Sequence, residues 1–295
     1  MNTKRIIVYV LCSFLLMMGV GVLVHFFGAS SAQTEVNMVK AVVGFLLSAG
    51  AMMIPLISVI FTQLIFKEPL LKGLDISFKI NRWWIIGWLL MPVIALAVLG
   101  MSLLMPGVSW AGDSEMVQTV LKQMPEGLDS PWGLVAITIF SGLFAGVTIN
   151  AVLAFGEEIG WRGYLIKLLQ GRKFLTVSLI TGVIWGFWHF PLILNGHNYP
   201  QHPVIGVFMM VLMCVALTPI LLYFRQKSGS VIVAAIMHGT FNAVVGLSNI
   251  LVTPQNDMLI GGPGLAGFLT LIFVNICLYI YDRFISKEGL FSKAV

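Results

Sequence analysis

Charge is what this chain has least of: Asp, Glu, Lys and Arg together make up 10% of its 295 residues. A soluble globular domain carries about 25%. Here 58% of positions are hydrophobic and the mean hydropathy is +0.96, which excludes an ordinary soluble domain and makes the chain a polytopic membrane protein. The scarcity also changes what the net charge of +5 means. In a membrane chain Lys and Arg mark the cytoplasmic side, so the basic excess is no nucleic-acid footprint and no nucleic-acid partner is expected. Cysteine is scarce too. Cys12, Cys214 and Cys277 fall in separate apolar runs without paired spacing, which excludes a disulfide framework and a thiolate metal site. No His-Glu-x-x-His zinc helix, internal repeat or low-complexity segment occurs.

What is present is a series of apolar runs, each about 20 residues or longer and so long enough to cross a bilayer. They fall near residues 6–27, 39–66, 83–105, 131–156, 175–195, 203–224, 229–251 and 263–285. The fold class is therefore all-α: a polytopic bundle of about eight transmembrane helices in the lipid bilayer, with an intramembrane active-site cavity. Residues 1–295 read as a single transmembrane domain, with a motif-bearing core at about 131–251. Ser30-Ser31-Ala32 resembles a cleavage site, yet the run before it is longer than a signal peptide's, so 6–27 reads as a retained span. Nothing in the sequence sets an oligomeric state.

The connecting segments alternate in charge. Lys67, Lys72, Lys79 and Arg82 follow the second span, whereas Asp113, Glu115, Glu126 and Asp129 against Lys122 follow the third. Positive segments recur at Lys167, Arg172 and Lys173, at Arg225 and Lys227, and at Arg283, Lys287 and Lys293. The positive-inside rule places both termini in the cytoplasm. Residues 106–130 predict a short amphipathic piece on the outer surface. Trp83, Trp84, Trp110 and Trp132 sit at span ends and read as belt anchors.

Two adjacent acids break the apolar background at Gly156-Glu157-Glu158-Ile159-Gly160-Trp161-Arg162. A carboxylate at membrane depth is costly and reads as functional. Helical spacing puts Glu158 and Arg162 on one face, where opposite charges meet, and turns Glu157 away from them by roughly 100°. Glu157 is thus the free acid and the candidate general base. No strong breaker ends a helix between Pro131 and Gln170. A straight helix of that length would reach about twice the hydrocarbon thickness, so it must bend, tilt or project, with Gly156, Gly160 and Gly163 offering close approach or distortion at the acids.

Of five histidines, His189 and His238 lie deep in predicted spans. Pro191 kinks the helix just after His189, and Asn242 shares the face of His238 at i,i+4. His25, His197 and His202 sit at span ends or in the outer loop and are given no chemistry. Each residue alone reads as structural: a buried, hydrogen-bonded His or interhelical Asn glue. Together, an acid pair, two deep imidazoles and an asparagine supply the base, acid and oxyanion donor that amide hydrolysis requires.

These residues resemble the CAAX prenyl protease type 2 and bacteriocin-processing family of intramembrane proteases, known as CPBP or Abi. Its pattern of Glu-Glu-x-x-x-Arg, aromatic-x-x-x-His and His-x-x-x-Asn matches Glu157-Glu158…Arg162, Trp185…His189 and His238…Asn242, each in its own span and in order. The aromatic is Trp where Phe is common in the family. The resemblance implies that Glu157 and His189 activate the attacking water, that His238 and Asn242 form the oxyanion site, and that Glu158 and Arg162 hold the acid's orientation and charge. A metal-free glutamate mechanism is favoured. The alternative is zinc held by Glu157, His189 and His238 with one position open for water. The expected substrate is a membrane-bound or lipidated peptide. Two rival readings remain: a catalytically idle scaffold such as an immunity protein, and a proton-coupled transporter, for which paired broken spans in related halves are missing.

Overall fold

The computed structural model of the protein describes residues 2–27 and 38–295; the Ser30-Ser31-Ala32 segment lies outside them. Helices follow one another as α1 (Asn2–Phe27), α2 (Met38–Ala51), α3 (Ile54–Ile65), α4 (Arg82–Leu103), α5 (Glu115–Leu121), α6 (Pro131–Val147), α7 (Ile149–Glu158), a π-helical stretch (Ile159–Leu165), α8 (Ile166–Leu168), α9 (Phe174–Trp188), α10 (Phe190–Ile193), α11 (Pro203–Ser228), α12 (Val231–Val244), α13 (Ser248–Leu251) and α14 (Leu265–Ile280). Two-residue strands β1 (Ser109–Trp110) and β2 (Val252–Thr253) pair antiparallel. The protein is a multi-pass helical bundle. Among the described residues six helices are long and apolar enough to cross a bilayer, and two bent pairs raise the number to eight when each counts as one span. Large apolar side chains such as Leu15, Phe140, Phe144, Ile149 and Val152 point outward, as a lipid-facing surface requires.

Local chemistry sets the helix ends. Asn81, Ser114, Ser130 and Ser230 each accept a hydrogen bond from a backbone N–H in the first turn of α4, α5, α6 and α12, satisfying donors the helix leaves free. Pro131 and Pro203 occupy first helical turns, where a missing N–H costs nothing. α11 stops at Gly229, whose φ of 70° closes the helix in the left-handed region.

The long stretch from Pro131 bends by 55° between α6 and α7. Its hinge is Thr148, with φ −117° and ψ −108°, whose hydroxyl donates back to the Phe144 carbonyl at 2.8 Å. The bend lets α12 lie across the junction. A methyl added to Gly146 would collide with Thr240 Oγ1, and one on Gly239 would meet the Asn150 backbone at 2.7 Å, so both glycines serve close helix approach. Gly156 and Gly160 do the same against Met52 and Tyr9, whereas Gly163 makes only ordinary contacts. The second expected span, 39–66, is likewise broken: α2 and α3 meet at 42°, with Pro55 in the first turn of α3.

The bundle has two chemically different ends. At one, Arg5 pairs with Glu68 at 2.7 Å, Arg225 with Asp75 at 2.5 Å, and Lys227 with Glu288. Both chain ends join it: Asn2 donates to the Leu168 carbonyl at 3.1 Å, and the Gly171 N–H donates to the Val295 carbonyl at 2.8 Å. At the other end β1 and β2 pair, α5 caps the surface, and His202 Nδ1 meets Asp257 Oδ1 at 2.6 Å. Residues 106–130 thus supply a short helix and a strand. Of the belt tryptophans, Trp132 is exposed and stacks on Trp110. Trp83 is a correction: it is buried against Tyr223 and Phe224, with the Lys227 ammonium 4.5 Å from its ring centroid, so it packs the core and anchors nothing in the interface.

Candidate active site

Glu157 and Glu158 end α7, and the helix immediately widens into the π-helical stretch that carries Arg162. Such one-turn widenings cluster at functional sites because they re-aim side chains. The acids diverge as helical geometry demands. Glu158 is fully buried: Arg162 Nη1 donates to its Oε1 at 2.9 Å, and His238 Nδ1 lies 2.9 Å from the same oxygen. Arg162 Nη2 donates to Thr218 Oγ1 at 3.1 Å, and that hydroxyl donates to the Cys214 carbonyl at 2.7 Å. Glu158 Oε1 thus accepts from two sides when His238 carries a proton on Nδ1.

Glu157 faces a cavity of about 370 Å³ that Trp185, His189, His238 and Asn242 also line. Its Oε2 accepts the Trp185 indole N–H at 2.6 Å. Trp185 is the hub of the site. The Arg162 guanidinium lies 4.2 Å from its ring centroid, within cation–π range, and the His238 ring meets it edge-on at 5.3 Å. The Trp185 backbone carbonyl lies 2.8 Å from His189 Nδ1. A carbonyl can only accept, so His189 carries its proton on Nδ1, and a neutral ring leaves Nε2 as a lone pair. His189 itself is the junction between α9 and α10, with Pro191 in the first turn of α10. The helix thus has a one-residue break at His189, two residues before the proline.

The six residues singled out by sequence therefore divide in two. Glu157, His189, His238 and Asn242 line the cavity; Glu158 and Arg162 lie outside the lining, fully buried. Sequence reasoning gave no role to Trp185 beyond its motif position, and none to Thr218. The i−4 spacing of Trp185 from His189 puts the two on one face and could have flagged the first; a lone Thr in an apolar run flags nothing. His197, given no chemistry, lies with Asn198 in the cavity lining. Zinc would need Glu157, His189 and His238 around one point. Among the described residues no group of three His, Cys, Asp or Glu side chains is assembled around one point.

Residues 131–244 match the model of the Type II CAAX prenyl endopeptidase Rce1-like family, a stretch that contains every motif residue above. A curated relative, CAAX prenyl protease 2 of Methanococcus maripaludis, is 30% identical over 204 residues, covering 63% of this chain and 67% of that protein. Fold, motif order and sequence likeness agree, and the chain belongs to the CAAX prenyl protease type 2 family of intramembrane proteases.

Proposed function

We propose that this protein is an intramembrane endopeptidase that hydrolyses a peptide bond of a membrane-associated or lipidated peptide, with Glu157 as general base. One water, accepted by the Glu157 carboxylate and His189 Nε2 together, has both hydrogens engaged and a lone pair directed at the scissile carbonyl. Glu157 takes one proton as the water oxygen adds to the carbonyl carbon. The tetrahedral oxyanion is met by Asn242 Nδ2–H and by an N–H at His238 Nε2. That second donor needs a proton on both ring nitrogens, with Nδ1 facing Glu158 Oε1 at 2.9 Å. Collapse of the intermediate returns the proton from Glu157 to the leaving amine, so atoms and charge balance.

Glu158, Arg162 and Thr218 act as positioning residues: they touch His238 and Trp185, not the reacting atoms. Both termini are assigned to the cytoplasm because both are tied to the bundle end that carries the basic connections.

The observation that carries this reading is that a carboxylate, two imidazoles and an amide from three separate helices line one cavity inside the apolar bundle. Polar groups there are tolerated only around a wet or protein-lined space. The test is mass spectrometry of membrane peptides from cells carrying the intact protein or Glu157→Gln. A peptide pair generated only by the intact protein names the substrate and bond. Identical peptide inventories, with the variant folded and equally abundant, sink the proposal.

A further inference from the structure

Among the described residues, none from α1 lines the cavity, and the helix lies before the family-matched stretch, which begins at residue 131. Most of its surface carries exposed apolar side chains such as Leu11, Leu15, Met18 and Val22, as contact with lipid requires. Its buried residues are Tyr9, Ser13, Met17 and Gly21, which successive i,i+4 steps place on one stripe of the helix. A membrane span needs apolar length. It does not need a tyrosine, a serine and a glycine on its buried stripe.

Along that stripe α1 reaches both catalytic helices from outside the cavity. At one end the Tyr9 ring meets Trp161 edge-on at 5.6 Å, and a methyl added to Gly160 would collide with the Tyr9 hydroxyl. Gly160 and Trp161 belong to the π-helical stretch that follows Glu157 and Glu158. At the other end Gly21 abuts Pro191: a methyl on Gly21 would stand 2.5 Å from the Pro191 Cβ and 3.2 Å from its carbonyl oxygen. The Asn195 side-chain amide donates to the Gly21 carbonyl at 3.2 Å and to the Pro191 carbonyl at 2.8 Å, joining α1 to the end of α10. Between these points the Trp188 indole N–H donates to the Ser13 carbonyl at 3.2 Å. Trp188 and Pro191 lie on either side of His189, the residue that joins α9 to α10.

Trp188 is the side chain through which α1 reaches the chemistry. It is buried, and its ring meets Trp161 edge-on at 5.7 Å and His189 edge-on at 5.0 Å. An indole N–H inside an apolar bundle needs an acceptor. The Ser13 carbonyl can serve because it has a second lone pair beyond the one its own helix uses. The proposed reaction asks Glu157 and His189, on different helices, to hold one water between them, and a misplacement of about 1 Å can cost roughly a hundredfold in rate. The Trp185 bond to Glu157 ties the two helices on the cavity side; α1 ties them on the other.

We propose that α1 is a brace that sets the spacing of Glu157 and His189, with Trp188 as the positioning residue that holds His189 and with the Ser13 carbonyl and Gly21 as its seat. The consequence for catalysis rests on the proteolytic reading above; the brace itself rests on packing. The test compares Gly21→Ala and Trp188→Phe with Gly19→Ala, a control on the same helix where an added methyl meets nothing within 4 Å. Each is made in the full chain and purified in detergent. One readout is the rate at which diethyl pyrocarbonate acylates His189, followed by mass spectrometry of the peptide that carries it. The other is kcat and KM for the peptide that the intact protein cleaves and Glu157→Gln does not. Gly21→Ala and Trp188→Phe should change the acylation rate and lower kcat by about two- to tenfold each, the weight of one neutral hydrogen bond, with KM unchanged. Gly19→Ala should match the intact protein in both. If Gly21→Ala does not fold, Trp188→Phe, which keeps an aromatic ring beside His189 and loses the N–H, carries the test. A folded Trp188→Phe with the intact protein's acylation rate overturns the brace, and a changed acylation rate with undiminished kcat overturns the positioning role; both leave proteolysis standing. A changed acylation rate with no Glu157-dependent peptide leaves the brace standing and removes the proteolytic reading.

Discussion

The indole N–H of Trp185 donates to Glu157 Oε2 across 2.6 Å, while the face of the same ring lies 4.2 Å from the Arg162 guanidinium. One side chain therefore orients the proposed base and, at the same time, covers the cation that neutralises its neighbour Glu158. A hydrogen bond to a charged group contributes about 1.5–3 kcal/mol, or roughly ten- to hundredfold in rate if it acts mainly in the transition state. Trp185→Phe keeps the ring over Arg162 and removes only the N–H. The expected outcome is a kcat lower by about tenfold or more with an unchanged melting temperature in detergent. An unchanged kcat would show that the bond holds Glu157 in no way that matters to the reaction.

The buried ion pair makes a separate prediction, about stability. Glu158 and Arg162 are both fully buried at 2.9 Å, and removing one partner of such a pair typically costs about 3–5 kcal/mol because the other charge is stranded. Arg162→Met should therefore sharply reduce the yield of folded protein. The double variant Glu158→Gln, Arg162→Met leaves no stranded charge and should recover most of that stability while remaining inactive, since His238 loses its carboxylate. Recovery of activity alongside stability would remove Glu158 from the positioning role.

How much of this is legible in the sequence follows from what each signal measures. Apolar length reports membrane crossing directly, so the runs appear in the bundle near their expected bounds. The break between α2 and α3 does not show, because Pro55 sits among apolar residues and lowers no hydropathy average. Bending of the long stretch after Pro131 is demanded by its length, yet its place at Thr148 depends on α12 crossing at Gly146 and Gly239, a tertiary fact. At the site, Glu158 and Arg162 meet because i,i+4 spacing is a local property. The Trp185 bond to Glu157, the Thr218 bond to Arg162 and the place of His197 in the cavity lining depend on how separate helices are arranged, which no spacing encodes.

The metal question has its own test. Zinc binding by Glu157, His189 and His238 would require the three to converge, and no such group is assembled among the described residues. Membranes treated with a strong chelator and then freed of it should retain their cleavage rate, and added zinc should not raise it. Loss on chelation followed by recovery with zinc would show that the three side chains converge on an ion in the working enzyme.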